Sequence, residues 1–456
     1  MALSITIATA TALTLTWIRL IAPGSIWLIP LAALYSTIFT GILALSFRFA
    51  GSTLALPAAW MVAEIVARRL PFGATWALLG LPLAGMTATS QVASLAGPEA
   101  LSFAAASINV ALAYWWHRRF HWTAAVATLQ GPVLMAALTL WGGYRISHTR
   151  EAPQKLDAGV VQPQISREER SPDKRPVALR RMSRLIDSIA HGADVVILPE
   201  AAIAGFVRYE DDLTEFVKST VGRTHRPLLF GSFDRTQDSS EASIVAILIA
   251  PDGDVTTYRK LRLDPVTERT PRIFGLPRPR PNEPDWTPGK EQPIFDLEDG
   301  GRFATLISLE DIFPDLARWA VRSGANLLIA LIDTAPFTGT AQPMQHLRRA
   351  QLTAISAGRP LLRVANTGVT CWIDPNGRVR QALEPGRDGS EGRAAVFEIP
   401  LGGPQTIYNI FGDIGPLAIG LILMVAAAVP RWIGEKADSR ATSSRLSFRG
   451  RGRRSR

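Results

Sequence analysis

A chain of 456 residues is long enough for two or three domains of about 150 residues each. Residues 1–146 hold only nine charged side chains (Arg19, Arg48, Glu64, Arg68, Arg69, Glu99, Arg118, Arg119 and Arg145), where a soluble domain of that length would carry about 36. That division excludes a wholly soluble protein, and the charged remainder excludes a polytopic membrane protein throughout.

The net charge of +10 is just as uneven. From Arg431 onward nine Lys/Arg stand against Glu435 and Asp438, which accounts for +7 of the total. A tail ending RGRGRRSR has the composition to neutralise nucleic-acid phosphates. Placed directly after an apolar run, it reads more simply as a cytoplasmic positive flank, and no nucleic-acid partner is expected. Cys371 is the only cysteine, so no disulfide and no cysteine-based metal site is expected. The six His have no HExxH or paired spacing, so no metal or other cofactor is expected either.

In chain order, apolar runs long enough to cross about 30 Å of hydrocarbon fall at 5–22, 25–47, 54–67, 101–116 and 122–144, with one more at 414–429. The stretch 76–97 is apolar but interrupted by Gly, Pro, Thr, Ser and Gln, and is expected to be a re-entrant or interfacial loop. Residues 1–146 are therefore expected to be a bundle of about five spans, 412–432 a last span and 433–456 a basic tail. An Arg-rich tail in the cytoplasm puts 147–411 on the outer side and the N-terminus inside, with the HRRFH loop (117–121) also inside. Arg68 and Arg69 then fall outside, against the charge rule. With Arg19 in the first apolar stretch and no charged segment before it, a cleaved signal peptide is not expected. Glu64 has two readings: a functional ionisable group within the membrane, or an interfacial side chain paired with Arg68 one helical turn on.

From about residue 158 the sequence alternates strand and helix, which predicts an α/β layered domain. Strands are predicted at ADVVIL (193–198), RFATLI (302–307) and ANLLIALI (325–332), and helices over 178–191, 313–324 and 345–358. PLLRVAN and a strand pair follow the last helix. The turns APDGDV (250–255) and DPNGRV (374–379) predict hairpins. PRPRPNEPDWTPG (277–289) is too proline-rich to be regular and reads as a loop, with a lid as one role. Three polar side chains stand at strand ends: Glu200, Lys260 and Ser308, the last followed by Glu310. Taken singly, they read as a helix cap, a solvated charge and a polar N-cap.

Their order and contexts together resemble the apolipoprotein N-acyltransferase family, the membrane branch of the nitrilase (carbon–nitrogen hydrolase) superfamily. The resemblance covers nearly the whole chain after the first span. It is carried by LPEAAI (198–203), YRKLRLDPVTE (258–268), WTPG (286–289), ISLEDIFPDLAR (307–318), GRPLLRVANTGVT (358–370) and TIYNIFGD (406–413), with GPEALSF (97–103) in the apolar part. It implies a nitrilase-like α-β-β-α sandwich on the outer face of a bacterial inner membrane, joined to an N-terminal transmembrane bundle and one C-terminal transmembrane helix. It further implies Glu200 as general base, Lys260 as oxyanion stabiliser, and Glu268 and Glu310 as supporting carboxylates. The implied reaction moves an acyl chain from a phospholipid to the N-terminal amine of a lipoprotein.

The sequence departs from that family at the nucleophile. Where the family has cysteine, this chain has Ser308. The loop IDTAPF (332–337) replaces an Asn-x-x-Trp-Phe-type segment: Asp333 and Phe337 remain, but Pro336 stands at the tryptophan position. About five spans precede the domain, against seven in the family. Cys371 lies in a strand and cannot substitute. Two readings follow: an acyltransferase whose acyl-enzyme is an oxyester on Ser308, or an inactive pseudoenzyme that binds lipid or lipoprotein or partners an active paralogue. An amidase acting on small amides would leave the helix bundle without a purpose.

Overall fold

A computed structural model of the chain describes residues 55–69, 76, 78–117, 129–166, 168–235, 241–264, 268, 286–298, 300–384 and 391–426. The apolar runs 5–22 and 25–47, most of the HRRFH loop, residues 277–285 of the proline-rich loop and the tail from 427 lie outside them.

Runs of unbroken apolar residues form strands covered on both faces, as parallel sheets require. In β8 (Leu327–Ile332), Leu327, Ile329 and Leu331 face one core while Leu328, Ala330 and Ile332 face another. The first sheet contains β1 (Lys155–Gln162), β2 (Val195–Ile197), β3 (Leu228–Arg235), β4 (Ala242–Ile249), β5 (Val255–Arg259) and β12 (Arg393–Pro400), in the order β12-β1-β2-β3-β4-β5. The second contains β6 (Phe295–Asp296), β7 (Arg302–Ile307), β8, β9 (Leu361–Ala365), β10 (Thr370–Ile373) and β11 (Val379–Leu383), in the order β11-β10-β9-β8-β7-β6. Strands β1, β2 and β3 run parallel, as do β7, β8 and β9.

One apolar core fills the space between the sheets, from Val160 and Ile197 on one side to Ile307 and Ile329 on the other. Helices α6 (Arg175–Asp187) and α7 (Asp211–Thr224) cover the outside of the first sheet. Helices α8 (Pro314–Arg322) and α9 (Gln342–Ala357) cover the second. The result is the expected α-β-β-α sandwich. Boundaries shift at helix starts: α9 begins three residues before the predicted 345 because Pro343, which needs no amide partner, fits a first helical turn. The chain then turns at Gly358 with a left-handed φ of 61°.

The apolar part contributes α1 (Ala55–Arg69), α2 (Thr87–Ser90), α3 (Ala93–Ala96), α4 (Glu99–His117) and α5 (Gln130–His148), and the chain's end contributes α10 (Ile407–Phe411) and α11 (Ile414–Ala426). Among the described residues no single helix is long and apolar enough to cross a membrane. The pair Thr87–Ala96 and Glu99–Trp116 is apolar enough together but bends by 117°. The stretch 76–97 is thus a series of short helical turns. It packs on the sandwich: Ala84, Val92 and Ala93, with Leu101 of α4, bury Leu352 and Ile355 of α9, and Gln91 Nε2 donates to the Asn376 carbonyl at 2.9 Å.

The expected Glu64–Arg68 pair is not formed. Glu64 instead accepts from Trp60 Nε1 at 2.8 Å and from the Leu79 amide at 2.9 Å, an amide that lies outside any helix or strand. Arg68 turns to Glu99 and Asp413, which come from other elements and offer its buried fork closer partners.

Candidate active site

The parallel strands of both sheets end at the same side of the sandwich, where open α/β sheets expose their loops. Glu200 follows β2 by three residues, Ser308 follows β7 directly, and Asp333 follows β8 directly. Lys260 follows the antiparallel β5. Four separate strand ends therefore bring these side chains together.

Ser308 opens a 3-10 turn, Ser308–Ile312, between β7 and α8, and its φ is 54°. A left-handed backbone at a non-glycine residue costs on the order of 1–3 kcal/mol and persists only where its surroundings impose it. Glu310 is one of those surroundings. Its Oε2 accepts from the Ile307 amide at 2.8 Å and from Tyr258 Oη at 2.7 Å. Its Oε1 accepts from the amides of Leu261 and Arg262, at 2.8 and 2.9 Å. One buried carboxylate thus fastens the Ser308 turn to the segment just after Lys260. Behind the turn, Asp311 binds His346 Nε2 at 2.5 Å and Arg363 Nη1 at 2.7 Å, all three buried.

The Ser308 side chain faces Glu200 and favours its ionised form. Glu200 Oε2 also accepts from the Asp333 amide at 3.0 Å, and its Oε1 lies 3.8 Å from Lys260 Nζ. Lys260 is fully buried and donates to Glu268 Oε1 at 2.6 Å, while Glu268 Oε2 accepts from the Asp264 amide at 2.8 Å. Asp333 is itself held by Arg170 at 2.6 Å. Strand β3 comes so near that a Cβ on Gly231 would lie 2.7 Å from Glu200 Cα, so only glycine fits there. All five side chains singled out in the sequence, Glu200, Lys260, Glu268, Ser308 and Glu310, belong to one connected cluster.

Three carboxylates surround one ammonium, and removing these charges from water is expensive unless they are paired. Burial works against a charge on Lys260, but Glu268 and then Glu200 outweigh it and hold its pKa above the ordinary lysine value. Lys260 is therefore a fixed cation and not a base. The surplus negative charge falls on Glu200. Burial, opposed by Lys260 and reinforced by Glu268 and Asp333, pushes its pKa up to about 8. Glu310 is also raised, by burial, against the pull of Lys260 and the amides it accepts from. A buried carboxylate beside a fixed cation and a hydroxyl on a strained turn has the layout of a site for nucleophilic acyl transfer.

Residues 157–391 match the family described as Carbon-nitrogen hydrolase, and residues 2–111 match the Apolipoprotein N-acyltransferase N-terminal domain. The chain belongs to the carbon-nitrogen hydrolase family, in its apolipoprotein N-acyltransferase branch. Among its relatives, the Apolipoprotein N-acyltransferase of Geobacter metallireducens is 28% identical over 381 residues, covering 79% of this chain and 71% of the relative. That of Shewanella oneidensis is 26% identical, covering 88% and 80%. A solved structure, Saccharomyces cerevisiae Nit3 of branch 10 of the nitrilase superfamily, is 18% identical, with a TM-score of 0.43 over 57% of this chain and 94% of its own.

Sequence reasoning about this family member missed Tyr258 and the partners of Asp311. Tyr258 lies two residues before Lys260, so strand alternation alone would place the two on one face. His346 and Arg363 are distant in sequence from Asp311 and carried no local signal. Among the described residues, no three His, Cys, Asp or Glu side chains are grouped to hold a metal ion.

Proposed function

We propose that this chain is a membrane-embedded acyltransferase of the apolipoprotein N-acyltransferase kind, with Ser308 in place of the usual cysteine. The phospholipid donor and lipoprotein acceptor come from the family resemblance and the names of its relatives. The observation that carries the reading is the turn at Ser308. A left-handed backbone is kept at a residue whose side chain faces Glu200.

In the proposed reaction, ionised Glu200 takes the Ser308 proton as Oγ attacks a donor ester carbonyl. Lys260 balances the negative charge of the tetrahedral oxyanion. Collapse breaks the bond to the lysophospholipid oxygen, which leaves with the proton from Glu200 and gives an acyl ester on Ser308. The lipoprotein α-amine then attacks that ester and loses its proton to Glu200. Ser308 departs from the second tetrahedral intermediate and recovers the proton. Glu268 keeps Lys260 in place, and Glu310 keeps the lysine loop and the Ser308 turn in register.

Contact with a bacterial inner membrane is supported by outward-facing apolar side chains, while the placing of residues 147–411 outside and the Arg-rich tail inside rests on the loop charges alone. Leu112 and Trp116 on α4, Val133 and Leu140 on α5, and Ile414, Leu421 and Ile422 on α11 are exposed. The bundle of spans, the re-entrant 76–97 segment and the domain limits at 147, 411 and 432 belong to this reading.

One observation favours the second reading, a pseudoenzyme that binds lipid or lipoprotein or partners an active paralogue. With a pKa of about 8, Glu200 is ionised in only about a tenth of molecules at pH 7, and a hydroxyl is far harder to deprotonate than a thiol. The test is acyl transfer in membranes holding the native protein, Ser308→Ala or Ser308→Cys. Transfer is read by mass spectrometry of a diacylated lipoprotein acceptor and of peptides containing residue 308. Native activity lost in Ser308→Ala, with an acyl adduct on Ser308, supports the acyltransferase. A silent native protein with an active Ser308→Cys variant means a formed site lacking its nucleophile. Silence in all three points to binding alone.

A further inference from the structure

We infer that Arg68, on the apolar helix α1, is a positioning residue that fixes the nucleophile turn against the lysine loop from the membrane side. The inference takes Ser308 as the reacting position and otherwise stands on geometry.

Arg68 lies in the last turn of α1 and is 4% exposed. Its guanidinium meets carboxylates from three other elements. Nε lies 3.1 Å from Glu99 at the start of α4, Nη1 lies 3.6 Å from Asp315 in the first turn of α8, and Nη2 donates to Asp413 at 2.8 Å. Asp413 sits between α10 and α11 and also accepts from Tyr408 Oη at 2.7 Å and Arg69 Nη2 at 2.5 Å. A rigid fork suits such a task, because a single ammonium cannot face three carboxylates in three directions.

The arm through Asp315 reaches the site. Asp315 follows the Ser308–Ile312 turn by three residues. Its second oxygen is bonded to Arg262 Nη2, and Arg262 follows Lys260 by two residues. Arg262 also stacks 4.3 Å from the centre of the Phe313 ring, and its amide donates to Glu310. Arg68, Asp315 and Arg262 thus form a line of ion pairs, the Arg68–Asp315 link being a charge contact without a hydrogen bond, from an apolar helix to both segments whose spacing sets where residue 308 stands relative to Lys260. Arg68 itself is buried while Asp315 and Arg262 are half-buried, and ion pairs of this sort are weak support for stability and better suited to fixing one arrangement.

Thiol titration at residue 308 tests this without requiring acyl transfer. In the Ser308→Cys protein, alkylation by iodoacetamide is followed against pH. The native Cys371 is a quiet background because it is buried and its thiol is pushed up to about 12. Adding Arg68→Gln is expected to slow alkylation at pH 7 about tenfold, by moving the thiol away from Lys260 and towards ordinary cysteine behaviour. Arg68→Lys should recover part of the loss. Arg69→Gln, whose side chain is largely exposed, should leave the profile unchanged. If Arg68→Gln does not fold, Asp315→Asn cuts only the arm to the site and should give the same slowing. A folded Arg68→Gln or Asp315→Asn protein whose profile coincides with that of the Ser308→Cys parent overturns the inference. Absence of an acyl adduct on native Ser308 would instead count against the acyltransferase reading.

Discussion

Glu200 and Asp333 meet across the two sheets, the Asp333 amide donating to Glu200 Oε2 at 3.0 Å. One follows a strand of the first sheet and the other a strand of the second, so the Glu200 carboxylate is held by the packing of one sheet on the other. Anything that shifts the sheets moves the base relative to Ser308.

In the proposed reaction the ionisation of Glu200 sets the pH dependence of transfer. The carboxylate is the competent form, and its pKa is raised to about 8. Activity on the free enzyme, kcat/KM, should therefore climb about tenfold per pH unit between 6 and 7.5 and level off above about 8.5. Glu200→Gln should abolish the climb along with the activity. A rate that falls with rising pH over that range would mean that protonated Glu200 acts as an acid instead.

Gly231 guards the same carboxylate from the other side. In Gly231→Ala the new Cβ would press on Glu200 Cα and on the Ala201 amide, at 2.7 and 2.8 Å, and backbone atoms cannot swing away. The expected cost is about 1–3 kcal/mol of stability, read as a lower thermal midpoint in detergent. Transfer should fall further than the lost folded fraction explains. A variant as stable and as active as the native protein would show that the close approach is not needed.

The same position illustrates why parts of the fold were not legible in the sequence. RFATLI was read with its final boundaries because every residue after Arg302 is buried and no glycine interrupts it. β3 was not read, because LLFGSFDR holds a glycine and an aspartate that look like breakers, yet Gly231 is there to admit Glu200. β1 has the same difficulty in KLDAGVVQ. At the site, Glu200, Lys260, Glu268, Ser308 and Glu310 could be picked out because they lie in short family-like blocks. What the carboxylates bind could not, since Glu310 bridges residues about fifty positions apart and Arg68 reaches Asp413 across 345. The Glu64–Arg68 pair, expected from helical spacing, failed for the same reason: tertiary partners outbid a neighbour one turn away.

Glu310 should be the most costly of the supporting carboxylates to remove. It accepts from three amides and one phenol, all within the buried cluster. Glu310→Ala leaves these donors without partners and should destabilise the protein by about 3–5 kcal/mol. Glu310→Gln keeps the shape and should retain part of that, since its amide oxygen still accepts. Thermal unfolding of the two variants side by side checks the ranking. Equal loss in both would mean that the charge, rather than the hydrogen bonds, matters.

Ser308 offers a last test that separates the turn's strain from its chemistry. At φ 54° a side chain is disfavoured and glycine is not. Ser308→Gly should therefore raise stability by up to about 1 kcal/mol, because the relieved strain offsets the added freedom of the unfolded chain. The same change removes the hydroxyl that faces Glu200, so transfer should vanish. Ser308→Ala keeps the strain and should be no more stable than the native protein while equally inactive. A gain in thermal midpoint for glycine but not for alanine would place strain at this residue. Equal midpoints for the two would mean that the turn is relaxed, and would remove the main support for reading Ser308 as the nucleophile.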